Sequence, residues 1–365
     1  IIYLSFGIFL YTAYVLNGTP YVPLSVVETY GDLSKGEVDA AGKRLAIDLS
    51  RIALQMADDA TTTFVRTFGG TVHIPFRTID GVLYCPMDTM GYFVKLAASA
   101  SADSVRLHPF TGTETLARIT GSDTVLVPAL SDSRRGQKIN LAKGETVTLL
   151  GETGTYYKIT AGDGTEGYVL KPSVAIIDVD LAKLEFFAPR KEKRLPSKGE
   201  RINLVWQYVG QITPAGPDRP IPGIDVLAPT WFDQIVEGGG NIENNADLGY
   251  TRTARENGTY VWATITNNMS EKGSTNYTTK VLADTALRNK TIAQYLFYAC
   301  LYEVDGINID YETVKDADRD NLTAFVREMR KYTERLGLTL SVDTLIPKPW
   351  TLEYDYAALG KTVDY

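Results

Sequence analysis

The segment at residues 305–312 has two faces that differ completely in polarity. It reads Asp-Gly-Ile-Asn-Ile-Asp-Tyr-Glu, and because side chains alternate between the faces of a β-strand, Asn308, Asp310 and Glu312 point the same way. Apolar helix patterns precede and follow the segment, which predicts a buried parallel strand with its polar face directed into an enclosed space. An unpaired buried charge is costly, so carboxylates in such a place indicate a functional site. Glu312 stands at the carboxyl end of the strand, where barrel-shaped α/β enzymes hold their catalytic residues.

Strand and helix patterns alternate from residue 201 onward, which predicts a parallel sheet covered by helices. A helix is expected over 286–302, with Cys300 as a core thiol, and the next helix is expected to end at Gly337. The five predicted strands cover residues 202–206, 223–232, 259–266, 305–312 and 338–347.

Clustered carboxylates on one strand suit either a divalent-cation site or the acid site of a glycosidase. The full octapeptide resembles the signature of glycoside hydrolase family 18, usually written D-G-x-D-x-D-x-E, which Asp305, Gly306, Asp310 and Glu312 match. Asn308 departs from the general pattern and resembles a bacterial branch that attacks peptidoglycan, notably the spore-cortex N-acetylglucosaminidases.

The resemblance implies that residues 196–365 form a (β/α)₈ TIM barrel, with no metal and no cofactor. Only five strands are assigned, and Val363-Asp364-Tyr365 has the pattern of a sixth strand that is beginning. We therefore expect the barrel to be incomplete in this sequence.

The resemblance also assigns roles to the polar residues of the strand. In family 18 the 2-acetamido group of the substrate acts as the nucleophile. Glu312 would then be the general acid, and Asp310 would hold the acetamido group. Asn308 is expected to support Asp310 through a hydrogen bond, with Asp310 ionised throughout the reaction. Asp305 is out of phase with this row, so we expect it to tie the beginning of the strand to neighbouring backbone.

Two aromatic residues are candidates for stacking on a sugar ring. Trp231 follows Pro229-Thr230 at the end of the second predicted strand, which would place it at the rim of the site. Tyr311 adjoins the acid, although its parity also fits a position in the core, facing the helices.

An internal repeat marks the front of the chain. Residues 17–24 and 80–87 share the frame [ND]-G-x-x-Y-x-P-[LM], and Asn-Gly and Asp-Gly are strong signals of a tight hairpin turn. A short helix is expected after each copy. The frame resembles modules named after the copper amine oxidase N-terminal domain, which implies an α+β module over residues 1–118 and no copper.

Residues 121–178 show short strands separated by glycine-rich turns, which predicts a small all-β barrel. The order of these strands resembles a bacterial SH3-like domain, and such domains often bind cell-wall peptides. Tyr156, Tyr157 and Tyr168 could line a peptide groove, although at least one is expected in the core. The basic run at 189–196 is expected to be a solvated connector into the catalytic domain.

Composition excludes several functional classes. The formal net charge of −7 gives no general attraction to nucleic acid. The two cysteines fall in different predicted domains, which argues against a disulfide, and His73 and His108 leave no histidine for a triad or zinc site in the C-terminal half. Residues 1–16 favour a strand pair turning at Gly7 over a membrane anchor.

Three functions fit these patterns. The leading hypothesis is an N-acetylglucosaminidase that acts on peptidoglycan, located outside the cell, at the wall or on the spore. A chitinase is the enzymatic alternative, since it would use the same site residues. The third is a carbohydrate-binding pseudoenzyme, which the intact Glu312 argues against.

Overall fold

The computed structural model describes residues 2–6, 9–100, 104–109, 115–130, 138–141, 143–161, 165–176, 184–195, 201–210 and 212–365. Gly7 and Pro196, on which two of the sequence predictions fall, lie outside these ranges. Up to residue 187 the elements are β1 (Ile2–Phe6), β2 (Phe9–Leu16), β3 (Thr19–Pro23), α1 (Leu24–Tyr30), β4 (Glu37–Asp39), β5 (Arg44–Asp48), β6 (Leu54–Gln55), α2 (Asp59–Phe68), β7 (Thr71–Pro75), β8 (Arg77–Ile79), β9 (Val82–Pro86), α3 (Met87–Val94), β10 (Leu96–Ala100), β11 (Ser104–Pro109), β12 (Thr115–Ile119), β13 (Thr124–Leu126), β14 (Ile139–Leu141), β15 (Thr146–Thr153), β16 (Tyr156–Thr160), β17 (Glu166–Leu170), β18 (Val174–Ile176) and β19 (Phe186–Phe187).

The remainder of the chain alternates strands and helices. Its elements are β20 (Leu204–Gln207), β21 (Val226–Gln234), β22 (Ile242–Asn244), α4 (Leu248–Glu256), β23 (Tyr260–Thr266), α5 (Ser274–Ala283), α6 (Thr285–Leu301), β24 (Gly306–Asp310), α7 (Arg319–Leu336), β25 (Thr339–Val342) and α8 (Tyr356–Thr362).

The chain divides into two compact units, and neither is continuous in sequence. The first comprises residues 1–15, 19–34 and 77–187. The second comprises residues 16–18, 35–76 and 188–365. Residues 35–76 belong to the predicted front module of residues 1–118, yet they pack with the C-terminal part of the chain. The boundaries predicted at residues 118, 178 and 196 stay a prediction.

The two copies of the repeat form equivalent structures. Asn17-Gly18 and Asp80-Gly81 all have positive φ, between 50° and 80°, as the predicted turns require. Strands β3 and β9 follow these turns and pair with each other antiparallel, with Tyr21 opposite Pro86. Helices α1 and α3 then begin directly after each strand, as predicted.

The first unit also contains a group of short strands in the region where a small barrel was predicted. A five-stranded sheet has the order β17-β16-β15-β12-β18, and β13 and β14 form a separate pair. The four strands predicted between residues 121 and 178 are therefore confirmed as β13, β15, β16 and β17. Their shared core is small and aliphatic, and it comprises Ala117, Ile119, Leu126, Leu141, Val147, Ile159, Ala161 and Val169.

The second unit is built on a parallel sheet with the order β20-β21-β23-β24-β25. All four neighbouring pairs are parallel, so the five predicted strands lie side by side in sequence order, as in the wall of a β/α barrel. Helix α6 has twelve buried residues, and α7 ends at Gly337 with a φ of 75°, as predicted. Beside β25, the Asp364 N–H donates to the Leu340 carbonyl at 2.8 Å, which agrees with a strand beginning there.

Residues 35–76 add a three-stranded sheet, β4-β5-β7, and helix α2 to the second unit. On α2, the Phe64 ring stacks on Tyr332 of α7, with ring centroids 4.1 Å apart. On β7, the backbone N–H of His73 donates to the Tyr298 hydroxyl of α6 at 2.7 Å. This segment is therefore attached to the helices that cover the parallel sheet.

The basic run at 189–196 is not the solvated connector that its composition predicted. Arg194 Nη1 lies 3.0 Å from Asp305 Oδ1, and Lys193 Nζ lies 2.6 Å from Asp364 Oδ2. The Lys191 ammonium nitrogen is buried without a hydrogen-bond partner among the described residues, and burial lowers its pKa. The described part of the run therefore packs on the rest of the second unit, where its cations pair with acidic residues.

Residues 2–6 and 9–16 form the predicted strand pair, β1 and β2, which is antiparallel. In the part of the chain that the structure describes, no helix has both the length and the apolar character needed to cross a membrane.

Candidate active site

A cavity of about 260 Å³ lies at the carboxyl ends of β20, β24 and β25. Parallel strands present the side chains at their carboxyl ends to one common edge, so residues distant in sequence meet there. The lining residues are Trp206, Asp310, Glu312, Asp343, Thr344, Leu345 and Tyr354. The two residues predicted as catalytic, Asp310 and Glu312, therefore share one cavity with a third carboxylate.

The backbone of Glu312 is held through both its N–H and its carbonyl. Asn267, which is fully buried after β23, donates from Nδ2 to the Glu312 carbonyl at 2.7 Å. Its Oδ1 accepts from the Glu312 N–H at 3.2 Å. The Tyr354 hydroxyl donates to the neighbouring Tyr311 carbonyl at 2.9 Å. These bonds fix the point at which the Glu312 side chain leaves the sheet, although sequence reasoning gave no sign of Asn267 or Tyr354.

Asn308 is fully buried under this site, and its partner differs from the predicted one. Its Nδ2 donates to Asp343 Oδ2 at 2.6 Å, whereas Asp310 was expected. Its Oδ1 accepts from the Ser341 hydroxyl at 2.6 Å. The reason is the register of the sheet, which places Asn308 directly beside Ser341 and so brings the next residue on that face of β25 within reach.

Asp343 is a site residue that the sequence analysis did not identify. Besides the bond from Asn308, its Oδ2 accepts from the indole N–H of Trp206 at 3.1 Å. Ser341 and Asp343 are two polar residues of the same parity at the end of the fifth predicted strand, which is the signal that could have found them. Trp206 likewise ends the first predicted strand.

Burial and neighbouring negative charge raise the pKa values of Asp310 and Asp343. Burial, followed by the charges of Asp343 and Glu312, raises the pKa of Asp310 to about 6. Burial also raises the pKa of Asp343, and the hydrogen bonds from Asn308 and Trp206 oppose that rise. The pKa of Asp310 therefore lies closer to neutral pH than that of a free aspartate, and its ionisation throughout the reaction stays a prediction.

The C-terminal part of the chain matches a known family. Residues 233–365 match the model for glycosyl hydrolases family 18. This segment is therefore similar to family 18 glycoside hydrolases, and it is called the family 18 domain below. Its strand β24 supplies the motif, and the match does not extend to the first unit.

Several relatives of this domain are known. A candidate sporulation-specific glycosylase, YdhD of Bacillus subtilis, is 30% identical over 37% of this chain and 33% of its own length. The cortical fragment-lytic enzyme of Bacillus anthracis is 31% identical over 31% of this chain and 27% of its own. The crystal structure of the Bacillus cereus spore cortex-lytic enzyme SleL is 30% identical, with a TM-score of 0.34 over 39% of this chain and 33% of that one. The chain spans about a third of the length of the curated relatives it matches.

Asp305 lies outside the cavity of the family 18 domain, just before β24. Its Oδ2 accepts from the backbone N–H of Val261 on β23 at 3.0 Å. Its Oδ1 pairs with Arg194. Both contacts are consistent with the structural role expected for this residue.

Trp231 is not a sugar platform. Its side chain is completely buried and packs against Tyr250, with ring centroids 5.5 Å apart and nearly perpendicular. A bulge between Thr230 and Phe232 breaks the register with β23 and changes which way the side chains point. Trp206, which is 53% exposed, lines the cavity instead, together with Tyr354.

Tyr311 is also a core residue, which corrects its assignment as a substrate contact and confirms the alternative. Its side chain is buried and stacks on Phe325, with ring centroids 5.2 Å apart. Its hydroxyl accepts from the Gln234 side-chain amide. Tyr311 therefore secures β24 to helix α7 on the face opposite the cavity.

The different positions of the two tryptophans predict different effects of truncation. Trp231→Ala is expected to lower the free energy of unfolding by about 3–5 kcal/mol, because it empties a large buried volume. Trp206→Ala removes a half-exposed ring and one hydrogen bond, so about 1 kcal/mol is expected. Urea unfolding followed by tryptophan fluorescence measures both, since all four tryptophans lie between residues 206 and 350. Equal losses for the two variants would contradict the buried position of Trp231.

Proposed function

We propose that the family 18 domain hydrolyses N-acetylglucosamine linkages in the glycan of bacterial cell walls or spore cortex, with retention of anomeric configuration. The observation that carries this proposal is the placement of Asp310 and Glu312 in one cavity, with the backbone of Glu312 anchored by Asn267. A general acid must be held in a defined position to transfer its proton. The two hydrogen bonds between Asn267 and the Glu312 backbone meet that requirement.

The proposed reaction has two steps, and the substrate provides the nucleophile. In the first, Glu312 gives its proton to the glycosidic oxygen as that bond breaks. The oxygen of the 2-acetamido group attacks the anomeric carbon and forms a cyclic oxazolinium ion, while Asp310 accepts a hydrogen bond from the acetamido N–H. In the second, Glu312 takes a proton from a water molecule as the water oxygen attacks the anomeric carbon. The bond between that carbon and the acetamido oxygen breaks, so the ring opens and Glu312 is protonated again.

The substrate assignment is supported by the relatives and by one residue of the motif. Two of the relatives carry names that refer to lysis of the spore cortex. Asn308, which resembles the peptidoglycan-directed branch of the family, occupies the buried position beneath the acid. We therefore propose a location at the cell wall or on the spore, where such a glycan is found.

The front of the chain has a proposed role in holding the enzyme on its substrate. In the SH3-like barrel predicted over residues 121–178, Tyr156 and Tyr168 are half-buried, and Tyr157 packs against the core. The Lys171 ammonium lies 5.2 Å from the centre of the Tyr157 ring. We propose Tyr156 and Tyr168 as the candidates for binding wall peptides and assign Tyr157 a structural role.

Product analysis tests the proposed function. Purified spore-cortex peptidoglycan and chitin oligomers are incubated with the whole protein and with Glu312→Gln, and released reducing ends are identified by mass spectrometry. We expect N-acetylglucosamine ends from peptidoglycan, absent with the variant, and proton NMR should show the β-anomer first. Cleavage of chitin alone would change the substrate class. Binding of saccharide without release from either polymer would replace the enzyme with a binding protein.

A further inference from the structure

We propose that Asp343 is a further positioning residue of the site, which shares one proton with Asp310 across strands β24 and β25. The inference rests on the proposed function and deepens it, because it assigns a role to a carboxylate outside the D-G-x-x-x-D-x-E motif. It also explains how a chain with asparagine at 308 keeps two carboxylates beneath Glu312.

Sheet register places the two carboxylates side by side. Ile309 of β24 lies opposite Val342 of β25, so the residues that follow, Asp310 and Asp343, are also neighbours. The Asp343 N–H donates to the Ile309 carbonyl at 2.8 Å, which keeps the strands paired up to this point. Neighbouring strands are about 4.8 Å apart, and both side chains line the same cavity.

The hydrogen bonds to Asp343 favour its ionised form, and both of them involve the same carboxylate oxygen. Asn308 and Trp206 both donate to Oδ2, and neither donor can accept a proton back. An ionised Asp343 satisfies both donors, and its Oδ1 lone pairs are not used by these two bonds. That oxygen is therefore available to accept a proton or a hydrogen bond from a protonated Asp310.

The charge of Glu312 favours the protonated form of both aspartates. Glu312 and the Tyr354 hydroxyl line the cavity with the two aspartates, and the lining residues that the structure describes include no lysine or arginine. Two adjacent carboxylates without a nearby cation cannot both ionise cheaply, so they hold one proton between them.

The shared proton lets Asp310 be neutral before the reaction and negatively charged when the cation forms. Before the substrate reacts, the proton is bonded to Asp310 and Asp343 is ionised. As positive charge develops on the acetamido group, the O–H bond of Asp310 breaks and a new O–H bond forms on Asp343. Asp310 then carries the negative charge beside the cation, and the number of protons in the pair is unchanged. The transfer reverses when the oxazolinium ion is hydrolysed.

An exchange of amide and carboxylate between the two strands tests this role. Asp343→Asn alone removes the proton acceptor, so kcat should fall about 100-fold, with the acid limb of the pH profile moved to lower pH. The double variant Asn308→Asp with Asp343→Asn places the second carboxylate on β24, again beside an amide, and should recover most of that loss. Asp320→Asn, on the exposed first turn of α7, is the isosteric control and should match the parent. An Asp343→Asn protein with parental kcat and pH profile, or a double variant no better than the single one, overturns the proposal.

A titration without substrate separates this inference from the proposed function. The Trp206 indole contacts Asp343, so the difference in emission between the parent and Trp206→Phe should report the shared proton between pH 4 and 8. We expect one transition in the parent and its loss or displacement in Asp343→Asn. An identical transition in both overturns the proposal, whether or not the protein cleaves glycan. A parent that binds the proton as expected but releases no sugar refutes the proposed function alone.

Discussion

Replacement of Glu312 by glutamine is expected to lower kcat on peptidoglycan roughly 10²- to 10⁴-fold, the usual contribution of a positioned general acid. Glutamine keeps the size of the side chain and leaves both backbone bonds to Asn267 intact. It cannot donate a proton to the leaving oxygen, so bond cleavage loses its acid while the saccharide still fits. Initial rates and saccharide binding by calorimetry, measured on the same preparation, separate these two effects.

A matched control makes this result specific. Glu243→Gln removes a carboxylate from an exposed position on β22, far in sequence from the motif, and should leave kcat at the parental value. If Glu312→Gln retains the parental kcat, another residue is the acid and the proposed mechanism is wrong. If binding is lost together with turnover, Glu312 contributes to recognition of the ground state as well.

Asp310→Asn is expected to have the second largest effect, with kcat lowered about 10²- to 10³-fold. The variant cannot supply negative charge to the developing oxazolinium ion, and removal of one such electrostatic group commonly costs this much. KM should change far less than kcat, because the charge develops only as the bond breaks. A variant that loses affinity but keeps kcat would place Asp310 outside the reaction.

The same substitution should stabilise the protein at neutral pH. The pKa of Asp310 is about 6 in the folded protein, against 3.8 for the free side chain, so the folded state binds the proton more tightly. Its contribution to stability is therefore present at low pH and is lost as pH rises from about 4 to about 6. Asparagine does not ionise and escapes this loss. Urea unfolding should show Asp310→Asn more stable than the parent at pH 7.5 and equal to it near pH 4; a difference of the same size at both pH values would contradict the raised pKa.

Local sequence patterns predicted the strands and helices of the second unit well. Alternation along 305–312 assigned both faces of β24, since Asn308 and Asp310 lie toward the site while Ile307 and Ile309 are buried in the core. The five parallel strands and the helix ends followed from short-range preferences of the same kind. Asn-Gly and Asp-Gly predicted two turns because their need for positive φ is intrinsic to those residues.

Features that depend on contacts between strands were not predicted. Trp231 enters the core because a bulge disturbs β21, and a strict alternation cannot anticipate that shift. The partner of Asn308 is Asp343 because of the register between β24 and β25, which no local pattern fixes. The burial of Lys191 was also not predicted. The basic run at 189–196 pairs with acidic residues that are distant in sequence, such as Asp305.

The packing of residues 35–76 within the second unit limits where the gene for this chain can recombine. Phe64 stacks on Tyr332, and Asp58 pairs with Arg335 at 3.1 Å, so a surface of helix α7 is covered by a segment roughly 270 residues upstream. A recombination event that exchanged the front of the gene at residue 118 would leave that surface uncovered. A chain that receives the C-terminal part by such an exchange would need this segment as well, or polar residues on the uncovered face of α7. The front of the chain is therefore not exchangeable as a whole. We expect residues 35–76 and the C-terminal part to occur together in related sequences.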